Sequence, residues 1–133
     1  MNADPFVDAG TWEQAQVQDD NAILFTGEVE RRSLTSGDEL IAPGVSWVRF
    51  RDGARTNWHV HHGGQVLYIL EGRGCVVTEG LGVTRVGVSD LVRTPAGVRH
   101  WHGALRGESM TQLAVTCGET EFADPPQRPE PLD

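Results

Sequence analysis

The stretch that decides the fold is GARTNWHVHHGGQVLYILEG, residues 53–72. In a β-strand, side chains two positions apart project from the same face. His59 and His61 would therefore direct two imidazoles to one side, about 7 Å apart along the strand. His62 has the opposite parity and is expected to face away. The Gly-Gly pair that follows predicts a turn, from which Gln65 begins a new strand that folds back toward the histidine pair.

A second histidine pair follows in the stretch PAGVRHWHGA, residues 95–104. His100 and His102 repeat the two-apart spacing, whereas Trp101 between them is expected to pack on the opposite face. All five histidines of the chain lie between residues 59 and 102. Such clustering favours a metal site, because neutral imidazole binds Zn, Cu, Fe and Ni.

The rest of the chain indicates an all-β, single-domain protein. Its 133 residues suffice for one core, and 16 glycines separate short runs rich in Val, Ile, Leu and Thr. We expect an N-terminal segment over residues 1–20, a barrel over 21–120 and a Pro-rich acidic tail over 121–133, which is either disordered or laid over another surface. The predicted strands are Ala22–Thr26, Glu28–Leu34, Val45–Arg51, Gln65–Leu70, Cys75–Thr78, Val83–Val86, Asp90–Arg93 and Met110–Thr116.

These motifs resemble those of the cupin superfamily. The first cupin motif matches in spacing from Gly53 to Gly72, with Gln65 where the family pattern has Glu, and the second matches at Pro95, Gly97 and His100, with Ser89 and Ala104 in place of its outer Gly and Asn. The resemblance implies a conical double-stranded β-helix, the jelly-roll barrel, with a metal inside. It implies that the metal ligands are His59, His61, Gln65 and His100.

The amide of Gln65 changes the charge expected at this site. A Glu ligand would cancel one unit of the cation's charge, whereas three imidazoles and an amide leave a divalent ion near +2. That centre is a strong Lewis acid, attracts anions and favours polar over redox chemistry. Manganese is the first expectation, because an amide oxygen suits harder ions, and Fe, Ni, Zn and Co are alternatives. In another interpretation, Gln65 is a hydrogen-bonded barrel residue and the metal site has three histidines.

The segments around the second histidine pair are similar to small manganese-containing cupins that include bacterial hydroxynitrile lyases. The resemblance implies assisting roles for His102, Thr56 and the position of Gln112. His102 would act as acid or base beside the metal, and Thr56 would bond a substrate oxygen. The subgroup has a His at the position of Gln112. An amide takes up no proton at neutral pH, so the proton transfer expected at this position is weak, absent or left to His102. Each residue also has a non-catalytic interpretation. His102 would line the barrel mouth or the surface, Thr56 would be an ordinary strand residue, and Gln112 would be a polar residue of the barrel.

The resemblance supports three functional hypotheses. The leading one is a metal-dependent carbon–carbon lyase acting on a small carbonyl or hydroxyl substrate. The alternatives are an oxygen-dependent dioxygenase with a redox metal and a non-catalytic metal- or ligand-binding module. Trp58 and five apolar residues are expected to face the pocket: Val48, Phe50, Leu67, Val92 and Leu113.

Composition excludes several other classes. The net charge of −8 argues against nucleic acid or an anionic membrane as partner. All 11 basic residues are Arg, which excludes Schiff-base lysine chemistry. The two cysteines, Cys75 and Cys117, are expected to be separate core thiols. Without a signal-like or membrane-spanning stretch we expect a cytoplasmic protein, and edge strands that need covering favour a homodimer.

Overall fold

The computed structural model of the chain describes residues 17–19, 24–35 and 43–127. Within these ranges there are twelve β-strands and no helix, which confirms the all-β prediction. No helix in them is therefore long and apolar enough to cross a membrane. The strands are β1 (Val17–Asp19), β2 (Phe25–Thr26), β3 (Val29–Thr35), β4 (Gly44–Phe50), β5 (Arg55–Thr56), β6 (His59–His61), β7 (Gln65–Thr78), β8 (Gly82–Gly87), β9 (Leu91–Thr94), β10 (His100–Ala104), β11 (Met110–Thr116) and β12 (Thr120–Phe122).

The strands form two antiparallel layers that share β7. In one layer the order is β1-β3-β4-β11-β7, with β9 on the other side of the first half of β7. In the other layer the second half of β7 pairs with β8 and β10, and β10 pairs with β5 and β6. β2 and β12 extend this layer by pairing with β5 and β6. The result is the jelly-roll barrel that the motifs implied.

One predicted break between strands is wrong. Gln65–Leu70 and Cys75–Thr78 were predicted as separate strands, but they belong to the single 14-residue strand β7. The glycines that suggested a turn serve close packing instead. Gly72 has a φ of 74°, and a Cβ there would collide with the carbonyl oxygen of Ser109. β7 can therefore pass from one layer to the other beside the start of β11.

Most of the remaining strand predictions are confirmed to within one residue at each end. Met110–Thr116 is β11 as predicted, and the segments near β3, β4, β8 and β9 differ only at their ends. Of the predicted strand Ala22–Thr26 the structure shows β2, while residues 22–23 lie outside the described ranges. The strands β1, β5 and β12 were not predicted.

The residues after β11 continue along the histidine-bearing strand. In β12, Thr120 is paired with His61 and Phe122 with His59, so the boundary placed between residues 120 and 121 falls inside a strand. Beyond it the Trp58 N–H donates to the Asp124 carbonyl at 3.1 Å, and the buried Pro126 accepts a bond from Arg55 at 3.3 Å. The described part of the tail is thus laid over β5 and β6, and residues 128–133 lie outside the described ranges.

Two apolar clusters take opposite faces of β10. The larger one fills the barrel interior and includes Phe50, Leu67, Ile69 and Met110. Trp101 belongs to the second cluster and is fully buried there, as its parity predicted. Trp58 packs against this second cluster, so the expectation that it faces the pocket is wrong. The alternation of β10 thus directs its histidines inward and its tryptophan away from them.

The two cysteines have different environments. Both thiols are free, but Cys75 is buried and Cys117 is exposed. The expectation of two core thiols therefore fails at Cys117, which follows β11 at a turn where its N–H donates to the Gly64 carbonyl.

Candidate metal centre

Three histidines from two strands converge on one point. His59 and His61 are buried on the same face of β6, and His100 of β10 stands opposite His59 in register. The ring centroids are 4.7 Å apart for His59 and His61, 4.3 Å for His59 and His100, and 5.3 Å for His61 and His100. One nitrogen of each ring lies within 4.8 Å of those of the other two. This spacing suits three ligands around a single cation.

Backbone carbonyls fix the tautomer of two of these rings. The Nδ1 of His59 lies 2.7 Å from the Asn57 carbonyl oxygen, and the Nδ1 of His100 lies 3.1 Å from that of Val98. A carbonyl only accepts hydrogen bonds, so each Nδ1 carries the proton and each Nε2 keeps its lone pair. Ligating histidines in proteins are typically held this way, with the second ring nitrogen bonded to a carbonyl or carboxylate.

His61 is oriented by a side chain of the last strand. Its Nδ1 lies 2.8 Å from the Thr120 hydroxyl oxygen on β12. The Nε2 atoms of His61 and His100 are buried and have no hydrogen-bond partner in the described part of the chain. Buried polar atoms are normally paired, so these two nitrogens point to a group that binds there.

Gln65 adds an oxygen to the same cluster. It begins β7 with its side chain buried, and its Nε2 donates to the Thr116 hydroxyl at 3.0 Å. This bond decides which amide atom faces inward: Oε1 is left buried and without a partner among the described residues. Three imidazole nitrogens and one carbonyl oxygen fit a divalent transition metal, and they do not discriminate among Mn, Fe, Co, Ni and Zn.

The three histidines are neutral at pH 7. Burial, and then the neighbouring His100, lower the pKa of His59 to about 3 and that of His61 to about 4. Burial also lowers the pKa of His100. No carboxylate from the described residues joins the cluster. The described ligand cluster is therefore uncharged before a cation binds, and none of its members would offset the charge of a bound cation.

His102 lies next to the three-histidine cluster without belonging to it. Its ring centroid is 5.3 Å from that of His59 and 5.6 Å from that of His100, and it stands edge-on to Phe50 at 5.8 Å. Both of its ring nitrogens are buried without a partner among the described residues. Burial, followed by the nearby imidazoles, holds the pKa of His102 well below its usual value. His102 is thus a neutral base that faces the site.

Thr56 and Gln112 place two more polar groups beside His102. The Thr56 hydroxyl accepts a bond from the His102 backbone N–H at 3.1 Å, which leaves its own proton free to donate. Gln112 of β11 is fully buried, lies beside the His102 ring, and has neither amide atom paired within the described ranges. Both residues line the cavity.

A cavity of about 570 Å³ opens onto these groups. Its apolar wall includes Phe25, Val48, Phe50 and Ala114, and its polar lining includes Thr56, His59, His61, Gln65, His102 and Gln112. Three residues expected to line it do not: Leu67 is buried in the core, Val92 packs against that core, and Leu113 has the outward parity on β11. The cavity is large enough for a small aromatic or aliphatic molecule.

The structure brings together all seven site residues named from the sequence and adds others that sequence reasoning missed. Asn57, Thr116 and Thr120 orient the ligands, and the Phe122 ring lies 5.0 Å from that of His59. Thr116 and Thr120 contact their partners across 51 and 59 residues of sequence, and no pattern within one strand indicates such contacts. Arg31 also lines the cavity, and the alternation of β3 could have placed it there.

Comparisons with known proteins agree with this geometry. The family model described as "Cupin domain" matches residues 46–116. An (R)-mandelonitrile lyase from Granulicella tundricola is 40% identical over 92 residues, which cover 68% of this chain and 70% of that protein. A cupin-like protein from Thermotoga maritima superposes with a TM-score of 0.76 at 31% identity, over 80% of this chain and 84% of that one. A cupin-2 domain protein from Rhodospirillum rubrum gives a TM-score of 0.69 at 23% identity, covering 94% and 84%.

Proposed function

Since this chain belongs to the cupin domain family, we propose that it is a metal-dependent carbon–carbon lyase that cleaves or forms small cyanohydrins. The cation would be held by the three clustered histidines and Gln65, with manganese as the first expectation. The observation that carries the proposal is His102, a buried neutral base with both ring nitrogens unpaired, about 5 to 6 Å from two of the ligating rings. The likeness to a mandelonitrile lyase supports the choice of substrate class.

A bound divalent cation would supply a Lewis acid that stabilises negative charge on the substrate oxygen. His102 takes up the hydroxyl proton of the cyanohydrin on a ring nitrogen. The bond between the carbinol carbon and the nitrile carbon then breaks, and its electron pair leaves with cyanide. His102 returns the proton to cyanide, so the products are an aldehyde and hydrogen cyanide. The Thr56 hydroxyl donates to the substrate oxygen, and the Gln112 amide donates to the departing nitrile.

The test is metal analysis and cyanide release on one preparation. Protein purified without a metal-binding tag is analysed for bound metal, then assayed for benzaldehyde and cyanide formed from mandelonitrile. We expect a transition metal near one equivalent, and a loss of at least about a hundredfold in kcat for His102→Ala with metal content unchanged. The control is His62→Ala, because His62 lies on the exposed face and pairs there with Glu121. Equal activity in His102→Ala and the parent protein would contradict the proposal.

A dioxygenase is the second candidate, because three neutral imidazoles with open positions also suit Fe. It predicts iron in the purified protein and oxygen consumption with substrate, which an oxygen electrode measures. A non-catalytic module predicts tight binding of a ligand without turnover. The absence of a carboxylate ligand in the described cluster favours the lyase, since no anion there would offset the charge of a higher oxidation state.

A further inference from the structure

Arg31 places a positive charge in the wall of the cavity. It lies in the middle of β3, where Val29, Arg31 and Ser33 share a parity, and Arg31 and Ser33 both line the cavity. Among the lining residues of the described ranges Arg31 is the only Arg and Glu119 the only acid, and Glu119 is exposed. This described lining therefore carries one fixed cation, with one exposed carboxylate.

This guanidinium has no carboxylate to neutralise it within residues 24–35 and 43–127. Its neighbour Arg32 pairs with Glu30 at 3.4 Å, and four other arginines of the described ranges also pair with glutamates. For Arg31 no ion pair is formed there, and its Nε is buried without a hydrogen-bond partner. Burial lowers the pKa of Arg31, although an arginine stays charged at neutral pH. An unpaired, partly buried charge is costly, which is why such groups normally have a partner.

The sheet register places Arg31 near the reacting end of the cavity. Arg31 is paired with Val48, and Val48 with Gln112, so these residues form one row across β3, β4 and β11. With strands about 4.8 Å apart, the Cα atoms of Arg31 and Gln112 are roughly 10 Å apart. Val48 is short, so the long Arg31 side chain can extend over it toward His102 and Gln112. A ligand spanning this row would contact both the guanidinium and the metal-proximal groups.

We propose that Arg31 binds a carboxylate of the substrate, so that the natural substrate is a small organic acid whose hydroxyl or carbonyl lies at the end of the molecule remote from its carboxylate. The identity of the reacting group rests on the proposed function, whereas the carboxylate follows from Arg31 alone. A guanidinium presents paired N–H donors that match the two oxygens of a carboxylate. A single cation in a cavity of about 570 Å³ suits one such group better than a phosphate, whose higher charge usually meets several cations.

The proposal also reconciles the charge of the whole molecule with that of its cavity. A net charge of −8 repels anions from most of the surface. Inside the cavity the described residues offer neutral imidazoles, amides, hydroxyls and Arg31, and a bound cation would add to the positive potential. An acid would therefore be bound by local contacts rather than by long-range attraction.

The experiment compares an acid with its neutral ester. The probes are 4-formylbenzoate and methyl 4-formylbenzoate, which carry an aldehyde at one end and differ in charge at the other. Calorimetry measures their dissociation constants for the metal-loaded protein and for protein stripped of metal. We expect the parent protein to bind the acid more tightly than the ester. Arg31→Gln should weaken acid binding by on the order of tenfold to a hundredfold and change ester binding by less than about twofold.

The matched control is Arg32→Gln, which removes the adjacent arginine from the opposite face of β3 and should leave the acid-to-ester ratio unchanged. An Arg31 effect that persists without metal separates this inference from the proposed function, since a protein without lyase activity can still show it. A parent protein that prefers the ester, or Arg31→Gln and Arg32→Gln variants that bind the acid alike, would overturn the inference. Metal analysis and thermal unfolding of each variant show whether a loss of binding reflects a loss of fold.

Discussion

At the scale of single residues, the candidate centre depends on where each imidazole proton is placed. The Asn57 and Val98 carbonyls keep Nδ1 protonated in His59 and His100, and both Nε2 atoms remain available as ligands. The same hydrogen bonds fix the ring planes, so the ligand atoms lie close together before a cation arrives. Preorganisation of this kind lowers the entropic cost of binding.

The lowered histidine pKa values predict acid sensitivity of the metal-free protein. The pKa values of His59 and His61, about 3 and about 4, lie below the 6.5 of an exposed histidine. Between pH 6.5 and those values the unfolded chain binds protons that the folded chain excludes. The free energy of unfolding should therefore fall with decreasing pH, by up to about 1.4 kcal/mol per pH unit for each ring. Urea unfolding of chelator-treated protein from pH 7 to pH 5 measures this slope.

Two variants separate the buried rings from other titrating groups in that experiment. His59→Asn should reduce the slope by about one ring's contribution, because Asn does not titrate. His62→Asn, at the exposed surface just after β6, is the matched control. A slope that His59→Asn leaves unchanged would contradict the burial argument.

The candidate ligands could be predicted from the sequence, but the residues that orient them could not. The candidate ligands His59, His61, Gln65 and His100 were implied by the resemblance to the cupin motifs, and the alternation of a strand accounts for the shared face of His59 and His61. Thr116 and Thr120 contact their partners across 51 and 59 residues of sequence. Such contacts depend on which strands are neighbours, and alternation within one strand carries no information about that.

At the scale of elements, β12 acts as a clamp on the histidine strand. Its three residues pair with β6, Thr120 contacts His61, and Phe122 packs on His59. The segment lies next to the proline-rich stretch and has only three residues, so its sequence shows no period-2 pattern that would predict a strand. The glycines within β7 predicted a break that does not exist. Gly72 allows close packing against Ser109 and does not form a turn, so β7 is one strand.

We predict that Thr120→Val weakens metal binding without unfolding the barrel. The isosteric valine keeps the packing of β12 but removes the hydroxyl that holds His61 Nδ1. Loss of such an outer contact typically reduces metal affinity by about tenfold to a hundredfold. Competition with a chromogenic chelator measures the affinity. Thr84→Val, an exposed site on β8, is the control, and equal affinities in the two variants would show that β12 does not tune the centre.

At the scale of the whole molecule, the outer face of one sheet carries an apolar row. Trp47, Leu113, Tyr68 and Leu91 are neighbours in register across β4, β11, β7 and β9. Tyr68 and Leu91 are 40% and 60% exposed. Arg93 lies on one flank of the row, and Glu71, which pairs with Arg49 at 3.1 Å, lies on the other. We propose that a second copy of the chain covers this face, which locates the homodimer expected from the sequence.

Sedimentation velocity tests this assembly. We expect a dimer for the parent chain and a monomer for Leu91→Glu, because a carboxylate in the apolar row would be desolvated without a partner. Leu81→Glu is the matched control, since Leu81 is 87% exposed at the turn between β7 and β8 and should leave the dimer intact. A monomeric parent chain would refute the homodimer, and a dimeric Leu91→Glu would refute this face.

The position of β12 also has a consequence for biosynthesis. β12 comes after the strands that carry His59, His61 and His100 in chain order. During synthesis these three histidines are therefore made before the strand that pairs with β6. His59 and His100 are oriented by carbonyls two residues away, but the His61 ring lacks the Thr120 hydroxyl until β12 has been made. We therefore expect the site to reach its full affinity for a cation only once the chain has been synthesised through Phe122 and β12 has paired with β6.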